Sequence, residues 1–162
     1  MAFIDDIKQR AKQDIKTIIL PEAQDIRILK ATEIVIKEGY AKIILLGKKE
    51  EIEKMAKENN VNIEGAEIIE PTNSANYSKY VELLYNLRKE KGMTQEQAKE
   101  LVKDPVYYGM LMLKDEESHA DGLVSGAIHS TSDTLRPALQ ILKTATRNKT
   151  CFSIFCYGCS RL

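Results

Sequence analysis

Small, hydroxylated and basic residues gather in one stretch of the chain, residues 120–139, which reads ADGLVSGAIHSTSDTLRPAL. Ser125 belongs to a run of small residues in the middle of this stretch. Ser130 and Thr131 offer hydroxyls and backbone N–H groups at what the pattern predicts to be a helix start, where unpaired N–H groups and the helix dipole favour an anion. Arg136 adds a permanent, fork-shaped cation one helical turn further on. These residue types and spacings predict a loop that binds a phosphate-sized anion.

A purely structural role fits the same loop. Ser130 and Asp133 have the spacing of a capping box, and hydroxylated or acidic residues at a helix start most often act only as caps. Pro137 complicates both interpretations, because a proline inside a helix frees the carbonyl four residues back and predicts a kink or a loose first turn. Both interpretations stay open at this point.

The stretch itself predicts a strand, a loop and a helix. Leu123 and Val124 lie between Gly122 and Gly126, which is typical of a short strand buried on both faces. Because Ser125 and Gly126 are small, we expect a ligand to approach the backbone of the loop closely. Helical spacing then recurs at Leu135, Leu139 and Leu142.

The preceding residues alternate between strand and helix patterns. Strands are predicted at 17–20, 43–46 and 66–70, and helices at 3–14, 24–38, 48–58, 80–91, 95–102 and 105–113. This order predicts an α/β fold with three layers, in which helices cover both faces of a mainly parallel sheet.

Other chemistry-bearing residues have an ordinary structural explanation beside a functional one. Glu22, Asp25 and Arg27 follow the first strand, where open sheets bind ligands, but a solvated helix start explains them better. Arg88 lies in the last turn of a helix, where cations suit the dipole. His129 lies inside the 120–139 loop and could donate to a phosphate or only hold the loop, and the second role is favoured; His119 is predicted at a helix end.

Charge and composition exclude several classes of function. Lys plus Arg equals Asp plus Glu at 24 each, without a basic block, so neither nucleic-acid binding nor a membrane-binding helix is expected. The first residues carry acids where a signal peptide carries cations, and no apolar run approaches membrane-spanning length. We therefore expect a cytoplasmic protein whose partners are small molecules.

The last residues, 146–162, differ in character and hold all three cysteines. Cys151, Cys156 and Cys159 have a spacing seen in iron–sulfur proteins, but a fourth thiolate is missing, so no metal site is expected.

The 120–139 stretch resembles the signature segment of the phosphate acetyltransferase (phosphotransacetylase) family and, more loosely, that of phosphate butyryltransferase. Weaker matches are residues 20–22 with Asp25 and Arg27, and residues 87–89 with Gly92. The resemblance covers residues 1–145, an N-terminal α/β domain, and leaves 146–162 as a divergent tail that a truncation or frame shift would explain.

The resemblance implies reversible transfer of acetyl between coenzyme A and inorganic phosphate, with coenzyme A as substrate and neither a metal nor a tightly bound cofactor. It implies substrate binding by Ser125, Ser130, Thr131 and Arg136, and contacts to coenzyme A by Arg88 and Arg136. It also implies that this is the first of two domains, that the catalytic base belongs to the missing second half, and that full-length members are homodimers. This chain alone is then expected to be inactive.

Alternatives of other classes are a non-catalytic module that binds coenzyme A or phosphate, a phosphate butyryltransferase-like protein and a purely structural α/β domain. Titration with coenzyme A would separate binding from structural roles.

Overall fold

A computed structural model of the protein describes residues 2–143. Its four strands are β1 (Lys16–Leu20), β2 (Ala41–Leu46), β3 (Glu67–Ile69) and β4 (Gly122–Leu123). They form one parallel sheet in the order β3-β2-β1-β4. Ile19 of β1 is in register with Ile44 of β2 and with Leu123 of β4.

Seven α-helices connect and cover these strands in the described part of the chain. Every strand and helix predicted from the sequence is present, with ends that differ by a few residues. The helices are α1 (Ala2–Gln13), α2 (Ile26–Glu38), α3 (Lys49–Glu58), α4 (Tyr77–Arg88), α5 (Gln95–Val102), α6 (Pro105–Lys114) and α7 (Thr131–Ile141), and short 3-10 turns lie at Pro71–Asn73 and Lys89–Lys91.

Two hydrophobic cores lie on opposite faces of the sheet. Neighbouring residues of β2 point in opposite directions, so Ile43 and Leu45 join one core while Ile44 and Leu46 join the other. Helices α2 and α3 cover the first core, and α4, α5, α6 and α7 cover the second. The predicted three-layer α/β architecture is therefore confirmed.

Helix α6 packs very closely on the sheet at Gly109. A Cβ at this position would lie 3.2 Å from side-chain atoms of Ile19 and Leu46, and closer still to Leu123. Because glycine lacks that atom, α6 packs at close range against residues of β1, β2 and β4 together.

Two sequence-based expectations about burial are corrected. The strand at Leu123 and Val124 is not buried on both faces, since Leu123 is half-buried and Val124 is 58% exposed. The reason is that β4 pairs only with β1 among the described strands and so lies at a sheet edge. The amphipathic helix α1 leaves Phe3 and Ile4 exposed and contacts the domain through its lysines, of which Lys12 lies over the ring of Tyr40.

None of the described helices is both long and apolar enough to cross a membrane. Within residues 2–143 no group of three or more His, Cys, Asp or Glu side chains is placed to hold a metal ion. The tail predicted at 146–162, with its cysteines, lies outside the described residues.

Candidate functional site

The loops that follow β1 and β4 meet at one edge of the sheet. These two strands are parallel neighbours, so their carboxyl ends lie side by side. Glu22 follows β1 and is only 1% exposed. Its side chain reaches the loop between β4 and α7 and binds residues 126–129 of that loop.

Five hydrogen bonds surround the Glu22 carboxylate. Oε2 accepts the backbone N–H groups of Gly126 and Ala127, both at 2.8 Å. Oε1 accepts those of Ile128 and His129, again at 2.8 Å. The imidazole Nδ1 of His129 lies 2.9 Å from the same Oε1. Four consecutive amides and one ring thus converge on a single internal anion.

These contacts explain why Glu22 stays ionised although it is buried. Burial alone would raise its pKa, and this is the largest single influence. The N–H groups of His129, Ile128 and Ala127, together with the His129 ring, outweigh it and lower the pKa to about 2. Glu22 is therefore a carboxylate at neutral pH and can only accept hydrogen bonds.

The finding changes the interpretation of the loop. Its amides at 126–129 do bind an anion, but the anion belongs to the protein, so these N–H groups are not open to a ligand. The expectation that Gly126 lets a ligand approach the backbone is wrong for the N–H side. The interpretation of Glu22 as a solvated residue of a helix start is also wrong, because β1 and β4 bring it under the loop.

The neighbouring residues of this motif also hold the loop. Asp25 caps α2 by accepting the Arg27 N–H at 2.8 Å, which agrees with the predicted helix start. The Arg27 guanidinium pairs with the Asp25 carboxylate and donates to the carbonyl of Ala127 at 2.8 Å. Glu22 thus binds the N–H groups of the loop, and Arg27 binds one of its carbonyls.

The predicted capping box of α7 is present. The Ser130 hydroxyl donates to Asp133 at 2.6 Å and accepts the Asp133 N–H, while the Ser130 N–H donates back to the carboxylate. These bonds from Ser130 lower the pKa of Asp133. Pro137 is buried within α7, which continues through it to Ile141. The structural role expected for Ser130 is therefore realised.

The remaining hydroxylated candidates differ in their surroundings. Ser125 is half-buried, and its hydroxyl lies 3.5 Å from that of Thr134. Thr131 is exposed at the first position of α7. Among the described residues, no acceptor contacts the backbone N–H groups of Thr131 and Ser132, so the positive end of α7 faces solvent there.

Arg136 lines a small cavity beside this helix start. The cavity has a volume of about 190 Å³, and its walls include Tyr107, His129, Asp133 and Arg136. Arg88 approaches from α4. Burial raises the pKa of the Tyr107 phenol most strongly, and the guanidinium groups of Arg136 and Arg88 both oppose it. Both cations are thus close enough to Tyr107 to act on the same group, although they are far apart in the sequence.

The guanidinium Nε of Arg88 is buried and has no hydrogen-bond partner in the described structure. An unpaired donor on a permanent cation costs free energy unless an acceptor is provided. Arg136 in the cavity and the buried Nε of Arg88, both within electrostatic reach of Tyr107, suit an anionic ligand with more than one charged group.

The two histidines lie in different places. His129 lines the cavity described above, whereas His119 lines a separate cavity with Thr17 and Lys42, at the amino ends of β1 and β2. Only His129 therefore belongs to the candidate site.

Sequence reasoning missed Glu22 as an organising residue. The available signal was the prediction that parallel strands end at one edge, which puts a carboxylate after the first strand within reach of any loop at that edge. The pairing of β1 with β4, which makes the reach short, is not visible in a single sequence.

Comparisons with known proteins agree with this architecture. The sequence model of the family described as Phosphate acetyl/butaryl transferase matches residues 2–161, a range that runs into the cysteine-containing tail. The phosphate acetyltransferases of Acetivibrio thermocellus and Thermoanaerobacterium thermosaccharolyticum are 49% and 50% identical to the chain over 155 residues. These residues make up 96% of this chain and 46% of each relative.

Solved structures show the same likeness. The EutD phosphotransacetylase from Staphylococcus aureus superimposes with a TM-score of 0.82 at 36% identity, over 92% of this chain and 44% of that protein. A phosphotransacetylase from Streptococcus pyogenes gives 0.79 at 34% identity, over 86% and 42%. The chain spans less than half the length of these relatives, and by the family match over nearly all its residues it belongs to the phosphate acetyl/butaryl transferase family.

Proposed function

We propose that the chain forms the phosphate- and coenzyme A-binding wall of a phosphate acetyltransferase. In the proposed reaction an oxygen of inorganic phosphate attacks the thioester carbonyl of acetyl-CoA, the C–S bond breaks, and acetyl phosphate and the coenzyme A thiolate are formed. The reverse reaction needs the thiol to lose its proton first. Both directions need cations for phosphate and donors for the developing oxyanion.

One arrangement supports this function above the others: Arg136 lines the same cavity as His129 and Asp133 at the N-terminal end of α7, and the charges of Arg136 and Arg88 both lower the pKa of Tyr107 in that cavity. A permanent cation near a helix N-terminus, with a second one within electrostatic reach of the same cavity, suits a substrate that carries phosphates. In the proposal Arg136, Thr131 and Ser130 bind inorganic phosphate, Arg88 and Arg136 contact the phosphates of coenzyme A, and Ser125 supports the loop behind them.

Proton transfer is assigned to another part of the enzyme. Asp133, the acid in the first turn of α7, already accepts two hydrogen bonds from Ser130, one from the hydroxyl and one from the backbone N–H, so it is a poor base. The base and the opposite wall of the site are proposed to come from the second half of the full-length enzyme, as the resemblance implies. Residues 1–145 would then bind and orient the substrates.

Acetyl is the proposed acyl group, because the curated relatives named above are phosphate acetyltransferases. The proposal includes coenzyme A as a dissociable substrate, no tightly bound cofactor, a cytoplasmic location and a homodimer for full-length members. A non-catalytic fragment that binds coenzyme A or phosphate is the alternative.

The test is a coenzyme A titration combined with a chimera. Residues 1–145 replace the corresponding part of the Acetivibrio thermocellus enzyme, and coenzyme A release from acetyl-CoA is measured on addition of phosphate. Turnover by the chimera, and coenzyme A binding by the chain alone, are expected. A folded chimera that binds coenzyme A without turnover would favour the non-catalytic alternative, and one that does not bind it would overturn the proposal.

A further inference from the structure

The hydrogen bonds of Glu22 determine which nitrogen of His129 carries a proton. The carboxylate is ionised at neutral pH, so it has no proton to donate. The 2.9 Å contact with Nδ1 is therefore an N–H···O bond in which His129 is the donor. In the neutral imidazole the proton then lies on Nδ1, and Nε2 has the free lone pair.

Nε2 points away from Glu22, because the two ring nitrogens diverge. Among residues 2–143 no hydrogen-bond partner is recorded for Nε2, and the side chain keeps 22% of its exposure. The ring lines the cavity of about 190 Å³ that also contains Arg136. His129 and Arg136 thus line the same small cavity, and the free ring nitrogen of His129 faces away from Glu22.

We infer that His129 is a phosphate-binding residue whose Nε2 takes up a proton and donates it to an anion beside Arg136, and that Glu22 is the positioning residue that fixes the ring for this. The inference rests on the proposed function and adds a further contact to it. The ligand class is a phosphate-like dianion. Ligand binding and protonation of Nε2 support each other, since the imidazolium donates a charge-assisted bond and the anion stabilises the imidazolium.

Five other titratable or permanently charged groups lie near the ring. Glu22 is ionised above about pH 2. The hydrogen bonds that Asp133 accepts from Ser130 lower the pKa of Asp133. Arg136 is permanently charged, and burial raises the pKa of Tyr107. Asp104 is engaged as the cap of α6, where it accepts two backbone N–H groups.

The experiment measures sulfate binding by the chain from pH 5.5 to pH 8 at constant ionic strength. Sulfate is the probe because it stays a dianion over this range, so any pH dependence originates in the protein. NMR titration follows the folded protein and reports the site at Arg136. Affinity is expected to fall about tenfold as the pH rises, which is the loss of one charge-assisted hydrogen bond.

Two variants separate binding from loop support. His129→Asn keeps an N–H donor near the position of Nδ1 for Glu22 but has nothing at Nε2, so it should bind sulfate weakly and without pH dependence. His119→Asn is the matched control in the other cavity and should behave as the native chain. An unchanged pH profile in His129→Asn, or no sulfate binding by the native chain, would overturn the inference.

A measurement on the native chain covers the case in which His129→Asn fails to fold. Imidazole nitrogen chemical shifts at pH 8 should show His129 protonated on Nδ1, the less common form of free histidine, and addition of sulfate at pH 6 should move Nε2 to the protonated form. An Nε2 chemical shift that does not change on addition of sulfate would contradict the inference. Coenzyme A binding in the same samples tests the proposed function separately. If coenzyme A binds while the Nε2 chemical shift does not respond to sulfate, only the His129 assignment fails.

Discussion

The carboxylate of Glu22 and residue His129 form two hydrogen bonds with each other, one from the backbone N–H at 2.8 Å and one involving Nδ1 of the ring at 2.9 Å. The two residues are 107 positions apart in the sequence. This pair joins the end of the first strand to the loop after the last described strand. The stability and the chemistry of that loop therefore depend on the same carboxylate.

Glu22→Gln should destabilise the fold by about 3 kcal/mol or more. The glutamine amide replaces one acceptor oxygen with an NH₂ donor, so backbone N–H groups that now bind the carboxylate would face another donor in a buried position. Urea unfolding measures the change. Glu33→Gln is the matched control, since Glu33 accepts a single backbone N–H from Asn62, at 2.8 Å, and a glutamine oxygen can do the same. Equal losses in the two variants would contradict the special role of Glu22.

The same pair predicts how stability depends on acid. The folded-state pKa of Glu22 is lowered from 4.5 to about 2, so its contribution is complete above about pH 4.5 and disappears as the pH falls towards 2. A lowering of this size corresponds to about 3 kcal/mol. Unfolding free energies measured at several pH values should show the native chain losing more stability than Glu22→Gln in this window. Parallel curves for the two proteins would exclude the mechanism.

The sequence predicted the order of the elements well because local signals determine them. The Thr94 and Ser130 caps, the end of α2 at Gly39 and the start of α6 at Pro105 are all written in neighbouring residues, and the structure has each of them. The alternation of strand and helix then leaves little choice of architecture.

The site was harder to predict because its contacts are long-range. Nothing local distinguishes Glu22, which is buried under the loop, from Asp25, which caps a helix. The exposure of Val124 likewise depends on which strands flank β4, which a short apolar pattern cannot indicate. The residue types indicated where the anion-binding loop lies. The pairing of β1 with β4 determines that the anion bound there is the Glu22 carboxylate.

Gly109→Ala should cost roughly 1–3 kcal/mol of folding free energy, because the new methyl group would crowd the side chains of Ile19, Leu46 and Leu123. Leu123 makes the nearest contact, so the double variant Gly109→Ala with Leu123→Ala should lose less stability than the sum of the two single changes. A double-mutant cycle in urea measures this coupling. Strict additivity would mean that α6 avoids the clash in another way.

Arg136→Ala should weaken coenzyme A binding by roughly 1.5–3 kcal/mol at low salt, the value of a charge-assisted contact. Arg88→Ala should act in the same direction, because its buried Nε lacks a partner within the described chain. Arg10→Ala removes the same charge from α1, far along the sequence from the site, and should leave affinity unchanged. Titration calorimetry compares the three. If the native chain and Arg136→Ala bind coenzyme A with equal affinity, Arg136 is not part of the coenzyme A site.

A polypeptide of these 162 residues alone should show no measurable phosphate acetyltransferase activity. It spans less than half the length of its relatives, and in the proposed function the base and one wall of the site belong to the second half of the full-length enzyme. Loss of a base and a wall removes positioning, desolvation and proton transfer together, so the deficit should exceed that of any single substitution. The assay is coenzyme A release from acetyl-CoA on addition of phosphate, with the Acetivibrio thermocellus enzyme as positive control. Turnover within about a hundredfold of that control, a gap of roughly 3 kcal/mol in barrier height, would show that residues 1–162 carry the chemistry themselves and that the base has been assigned to the wrong part of the enzyme.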